Sequence, residues 1–148
     1  TAFVDLGCGC GNPAAQEGYD CYGNTLIQIG DIHEGGYIFQ INEDGTGLVA
    51  DLQDLGQMNW DDAMAAAASA TSQGYDDWYL PSKEEIELMY STIGNGGPEG
   101  NIGFFQNNFY WSSTEYPNYG AWGVYFDNGG VGGSGKSPPS RVRVIRAF

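Results

Sequence analysis

The sequence is poor in positive charge. Five Lys and Arg stand against nineteen Asp and Glu, a formal net charge of −14. A chain this acidic repels nucleic acid phosphates and anionic membranes, so neither is expected as a general partner. No apolar run approaches the length of a membrane span, so no insertion is expected. Histidine is nearly absent. His33 is the only one and lies in the loop-like "GDIHEGG", while Ser112 and Ser113 have no His in a plausible motif. A nucleophile with a partnered base is therefore hard to assemble, and a non-enzyme is expected. Carboxylates abound but none is singled out, which leaves a glycan hydrolase as the third-ranked reading. Cysteine is confined to Cys8, Cys10 and Cys21. The C-x-C spacing with one further Cys matches tetrahedral zinc patterns poorly. A disulfide joining Cys21 to Cys8 or Cys10 fits better and points to an oxidising, extracellular setting, with the odd thiol free or paired elsewhere. A start at Thr1 without Met suits a removed leader or a larger parent chain.

What the chain has in quantity is glycine, 24 residues, together with ten Tyr, seven Phe and four Trp among 148 positions. This length suits one domain with one real core. Residues 1–24 read as an arm and a Cys/Gly-rich joint, and 25–148 as the folded domain. "LIQIG", "GGYIFQIN" and "LVADL" are strand-like, with Asp44-Gly45 as a hairpin turn between the last two. "NWDDAMAAAASATSQG" predicts a helix capped by Asn59 and ended by Gly74, with Trp60, Ala63, Met64, Ala67 and Ala70 on one face. "LPSKEEIELMYSTIG" predicts a second helix. Ser82 and Glu85 form a capping box, Ile86, Met89, Tyr90 and Ile93 make one apolar stripe, and Gly94 closes it. "FYWSSTE", "AWGVYFDNG" and "RVRVIRAF" predict three more strands. There is no internal repeat.

The order "GGYIFQINEDGTGLVAD", "NWDDAMAAA", "YDDWYLPSKEEIELMY", "YWSSTE" and a closing "VRVIRAF" resembles the domain family named for the C-terminal domain of the Legionella collagen-like adhesin, over about residues 30–148. The resemblance implies an α+β domain of the C-type-lectin-like group, near the formylglycine-generating-enzyme fold: two helices packed on twisted, mostly antiparallel sheet, with long loops at one end. It implies an extracellular or cell-surface adhesion module, the terminal domain of a larger protein, with a glycan or a surface protein as partner. The named adhesin is associated with sulfated glycosaminoglycans, polyanions that a charge of −14 opposes. The catalytic cysteine pair of the formylglycine-generating enzymes has no counterpart within the domain, so oxidase activity is not carried over. The Glu-Pro-Asn and Trp-Asn-Asp signatures of calcium lectins are replaced here by "GPEG" and "YWSST". The rival reading is a structural subunit of an extracellular fibre or appendage in which "TAFVDL" and the odd cysteine link copies, and other copies of the chain, as a trimer or a fibre, stand beside glycan and surface protein as candidate partners.

The candidate ligand residues follow from composition. Asn101, Asn107, Asn108, Tyr116, Asn118, Tyr119 and Tyr125 lie in or beside Gly- and Asn-rich connections, the composition of adaptable recognition loops. The site is expected at one end of the domain, formed by 94–108 and 115–121 with 128–139 beside it. Continuous alternation through "RVRVIRAF" places Arg141 and Arg143 on an open face, as contacts for an anionic ligand or a neighbouring subunit. Arg146 then falls among apolar residues, paired with a buried carboxylate. Trp60, Trp78, Trp111 and Trp122 are assigned to the core. No cofactor is fixed by the sequence. Calcium enters only where Asp127 and Asn128 converge with Glu115 or Asp54.

Overall fold

A computed structural model describes residues 27–148. The 1–24 joint and the expected bridge from Cys21 to Cys8 or Cys10 lie outside the described residues. The chain runs β1 (Ile32–His33), β2 (Gly36–Ile41), β3 (Gly47–Asp51), β4 (Gly56–Met58), α1 (Trp60–Ser69), α2 (Lys83–Ile93), β5 (Phe109–Tyr116), β6 (Gly120–Tyr125), β7 (Val131–Gly135), β8 (Ser140–Val142) and β9 (Ile145–Ala147). Two sheets result, of order β1-β2-β3-β9 and β4-β8-β5-β6-β7. Every pairing is antiparallel except β5 with β8, which meet in parallel at Tyr110 and Arg141. The class is α+β, two helices with two mostly antiparallel sheets.

Local chemistry accounts for the regular parts. The β2–β3 turn closes because the Asp44 carboxylate accepts the Thr46 N–H and hydroxyl at 3.0 and 2.6 Å, and Gly45 takes φ +86°. That carboxyl is held below its usual range by the Thr46 hydroxyl. In α2 the Glu85 N–H donates to the Ser82 hydroxyl and the Ser82 N–H donates to the Glu85 carboxylate, satisfying two orphan donors at once. Ile86, Met89 and Ile93 are fully buried beneath it.

Four expectations need correction. Of "LIQIG", residues 27–30 form no strand; the short β1 follows instead. Helix α1 stops at Ser69 rather than Gly74, and Met64 is exposed. Its end is set by tertiary contacts: the Ser72 hydroxyl donates to Asp51, and the Trp78 indole donates to the Ser72 carbonyl. These draw 72–74 into a separate 3-10 turn. Trp122 is half-buried rather than in the core, its ring covered by the partly exposed Tyr116 at 4.6 Å and the Lys83 ammonium at 5.0 Å instead of by core side chains. Most consequentially, "RVRVIRAF" is two strands. β8 joins the second sheet and β9 the first, so Arg143 and Val144 form the joint between sheets and both are buried.

The core lies on both sides of β5. Tyr110 points to the cluster under α2, with Phe39, Met89, Phe105, Val124 and Phe126. Trp111 points to the cluster under α1, with Trp60, Trp78, Ala121, Val142 and Val144. The indoles of these three tryptophans all find carbonyls: Trp60 donates to Ser112, Trp78 to Ser72 and Trp111 to Met58, at 2.8–2.9 Å.

Candidate functional site

A cleft of about 370 Å³ opens where β5 begins and β6 ends, lined by Gln57, Asn107, Asn108, Phe109, Tyr125, Asp127, Pro139, Ser140 and Arg141. The fold gathers these residues from four strands and the loops beside them. Phe109 and Tyr125 face each other across β5 and β6, with ring centroids 4.8 Å apart. Gln57 and Arg141 are opposite each other in β4 and β8. The Phe126 N–H donates to the Asn108 carbonyl at 2.9 Å, and the Asn95 amide donates to Asn107 Oδ1 and to the Phe126 carbonyl. These bonds hold the two asparagines at the rim.

Beneath the cleft sits a polar network. The Asp54 carboxylate accepts Arg143 Nε at 2.8 Å, the Tyr110 hydroxyl at 2.8 Å and Arg141 Nη1 at 3.5 Å. The Gln106 N–H donates to that same Tyr110 hydroxyl oxygen. Burial and the neighbouring Asp54 charge push the Tyr110 phenol well above its usual range, so it stays a donor. Arg143 is 1% exposed and also donates to the carbonyls of Asp51 and Gly103 at 2.9 Å. Arg141 differs. It holds Asp54 only by the long 3.5 Å contact, and its buried Nε has no partner among the described residues. The Arg141 side chain is 26% exposed and lines the cleft, so its terminal nitrogens are open to a ligand there.

Asn107, Asn108, Tyr125 and Arg141, expected as ligand contacts, meet here, and Asp127 joins them. Arg143 is a correction: it lies under the cleft, fully engaged, and offers no open face to a ligand. Asn101 lies elsewhere, its amide exchanging two hydrogen bonds with the Phe105 backbone. Tyr116, Asn118 and Tyr119 also need correction. The pairing runs from Phe109↔Tyr125 to Tyr116↔Gly120, so the 115–121 turn and the 94–108 loop lie at opposite ends of the hairpin. At the usual strand rise they are about 20 Å apart. The expected single recognition end is two ends, because one hairpin connects the segments. At the far end Tyr119 is 91% exposed, and the Tyr116 ring packs edge-on against Trp122 at 4.6 Å.

The four calcium candidates do not converge. Asp54 is held by two arginines, and Glu115, at the far end, pairs with Lys136 at 2.9 Å. Asn128 accepts the Gly130 N–H within its own turn, and only Asp127 lines the cleft. Among the described residues no three His, Cys, Asp or Glu side chains are placed to share a metal ion. His33 pairs with Glu34 at 3.0 Å and packs on Phe148; the Ser112 and Ser113 hydroxyls donate to the carbonyls of Trp122 and Pro81. Arg146 is 7% exposed and bonded through two nitrogens to Asp77, and it lies 3.7 Å from the Tyr75 ring. Its partner is not the buried carboxylate expected: the Asp77 side chain is 53% exposed. Gln57, Phe109 and Ser140 were not legible as site residues. Gln57 sits in a three-residue strand with no alternation to mark it, and Phe109 reads as an ordinary strand aromatic.

The molecule is thus a two-sheet α+β domain whose open cleft sits on a buried arginine–aspartate–tyrosine network. The chain belongs to the Lcl C-terminal domain family, that of the Legionella collagen-like protein, which matches residues 40–146. The matched span reaches from within β2 to within β9 and so takes in both helices and the whole cleft. The family comes from a surface-associated collagen-like protein and suggests a domain of a larger surface protein, at the cell surface or outside the cell. No curated protein matches the chain. No helix among the described residues is long and apolar enough to cross a membrane.

Proposed function

We propose that this domain is a non-catalytic, extracellular adhesion module with a C-type-lectin-like fold, and that the cleft at Asn107, Asn108, Tyr125 and Arg141 takes a neutral glycan. The observation that carries the reading is the composition of the cleft wall. Two aromatic rings, Phe109 and Tyr125, stand at its lip, and Tyr125 is 46% exposed. Around them lie the side chains of Gln57, Asn108, Asp127 and Ser140, which have no hydrogen-bond partner among the described residues. A pyranose presents the matching pair of surfaces: an apolar C–H face for the ring and hydroxyls for amide, carboxylate and guanidinium groups. The volume suits a small ligand of this size. The overall charge of −14 disfavours a polyanionic glycan.

Glycan-array screening followed by calorimetry on the best ligand tests the reading. Tyr125→Ala and Asn108→Ala should each weaken binding about tenfold, the loss of one stacking or hydrogen-bonding contact. Tyr119→Ala, at the other end of the hairpin, should leave affinity unchanged. Full affinity in a folded Tyr125→Ala variant would remove the cleft from consideration, and a loss confined to Tyr119→Ala would move the site to the hairpin tip.

A further inference from the structure

The second sheet ends in an edge strand without the features that usually protect such edges. Strand β7 is Val131–Gly135, "VGGSG", and pairs only with β6 among the described residues. It carries no Lys, no Pro and no bulge, since its register runs unbroken from Gly120↔Gly135 to Val124↔Val131. The phase of the ladder is fixed next door, where the Tyr125 N–H donates to the Gly130 carbonyl at 2.8 Å. By antiparallel alternation Gly132 and Ser134 then turn their backbone groups toward β6. Val131, Gly133 and Gly135 turn theirs outward, and these three are the exposed residues of the strand. No partner is found for the backbone groups of Val131 or Gly133 among the described residues beyond the ladder itself.

Beside this edge runs a groove of about 490 Å³ between α2 and the sheet, lined by Glu84, Glu87, Leu88, Tyr90, Val124 and Val131 among others. Val131 lines it, and Gly133 shares the face of Val131 by strand alternation, where a Cβ would fall 2.4 Å from the Tyr116 ring. The groove is therefore apolar along its floor and net acidic along the helix, where Glu84 and Glu87 outnumber Lys83, which bridges Glu87 at 3.2 Å. Alternate side chains of a strand added to β7 would be directed into it.

We propose that the β7 edge and this groove form a docking site for an extended basic, apolar-alternating peptide segment of another protein, which adds as a sixth strand. Backbone hydrogen bonds to Val131 and Gly133 hold it. Its apolar side chains rest on Leu88, Val124 and Val131, and its cations meet Glu84, which has no ion-pair partner among the described residues, and compete with Lys83 for Glu87. A second copy of this chain is disfavoured as the occupant, because two molecules at −14 would be pressed together edge to edge.

The test uses three labelled hexapeptides at about 0.15 M salt, where long-range attraction is screened. One alternates Lys and Val, one alternates Glu and Val, and one alternates Lys and Pro, which keeps the charge but cannot form a ladder. Fluorescence polarisation reads binding, and amide exchange by NMR reads the Val131 and Gly133 N–H groups. The Lys-Val peptide should bind saturably and protect both amides, and the other two should not. Glu84→Gln combined with Glu87→Gln should weaken binding about tenfold. Gly132→Lys should weaken it as well; a Cβ there meets open space, so the fold is kept. Equal binding of the Lys-Val and Lys-Pro peptides, or binding without protection of the two amides, would reduce the effect to charge adsorption and overturn the proposal. So would the absence of saturable binding. Protection of Val131 that appears without peptide and grows with protein concentration would assign the edge to a second copy instead.

Discussion

Arg143 and Arg146 are separated by two residues, yet their surroundings give them different weights. Arg143 joins Asp54 to the carbonyls of Asp51 and Gly103 with almost no solvent, and the Asp54 side chain is only 11% exposed. Arg143→Met leaves the nearly dry Asp54 carboxylate with only the Tyr110 hydroxyl and the long Arg141 contact, and two carbonyls without this donor, and a loss of about 3 kcal/mol is expected in denaturant unfolding. Arg146→Met leaves Asp77 in contact with water. The expected loss is about 1–2 kcal/mol, mostly from its bond to the Glu34 carbonyl and its packing on Tyr75. The order of the two is the sharper test, since equal losses would contradict the difference in burial. The pH dependence should also separate the parent from Arg146→Met. Arg146 holds the folded Asp77 carboxyl below its usual range. That stabilisation is complete above the ordinary carboxylate pKa and is lost as pH falls through the lowered value, so Arg146→Met should flatten the acid limb. Asp51 has the opposite sign. It is fully buried, its Oδ2 has no partner among the described residues, and burial raises its pKa. The folded state takes up this proton more readily, so stability contributed by Asp51 falls as pH rises from the ordinary carboxylate value through the raised one. Asp51→Asn should abolish that slope in melts taken from about pH 4 upward.

At the scale of elements, legibility followed locality. Helix α2 was readable because everything that makes it is within its own sequence: the Ser82–Glu85 box, the apolar stripe and Gly94. Ser82→Ala should cost about 1 kcal/mol, read as a lowered melting temperature. The end of α1 was not readable, because it depends on Asp51 and Trp78 taking hold of Ser72 from other parts of the chain. The division of "RVRVIRAF" into β8 and β9 was likewise hidden. Perfect alternation favours one strand, and only the buried pairing of Arg143 with Asp54 marks the place where the chain changes sheets. The β5–β6 turn shows the reverse case, a local rule broken in plain view. Asn118 and Tyr119 adopt φ +64° and +73°, a conformation that favours glycine, yet Tyr119 carries an almost fully exposed ring. Tyr119→Gly should therefore stabilise the domain by roughly 0.5–1 kcal/mol. A decrease in stability would mean that the ring contributes contacts to the folded domain that its exposure does not reveal.

Across the whole molecule, composition marked the cleft only in part. Asn107, Asn108, Tyr125 and Arg141 come together, and Tyr116 and Tyr119 do not, because composition carries no information about which end of a hairpin a loop occupies. Charge is the property that sequence and structure express most directly. Of the five basic residues Arg143 and Arg146 are buried, Arg141 is turned to Asp54, and Lys83 and Lys136 are paired with Glu87 and Glu115. Few cations remain to interrupt the acidic surface, and acidic pairs such as Asp61 with Asp62 and Glu84 with Glu85 crowd the first turns of both helices. The helix dipoles favour those first-turn carboxylates, but their mutual repulsion, and that of the rest of the surface, opposes compaction. Sodium chloride screens the repulsion over about 10 Å at 0.1 M and over a shorter range at higher salt. The melting temperature should accordingly rise by several degrees between about 0.01 and 0.5 M sodium chloride. Salt also weakens the two exposed lysine pairs, but each contributes only about 0–1 kcal/mol, too little to reverse the trend. A melting temperature that falls with salt would mean that attractive pairs outweigh the net charge, and that the acidic residues are arranged as partners of cations rather than as a repelling surface.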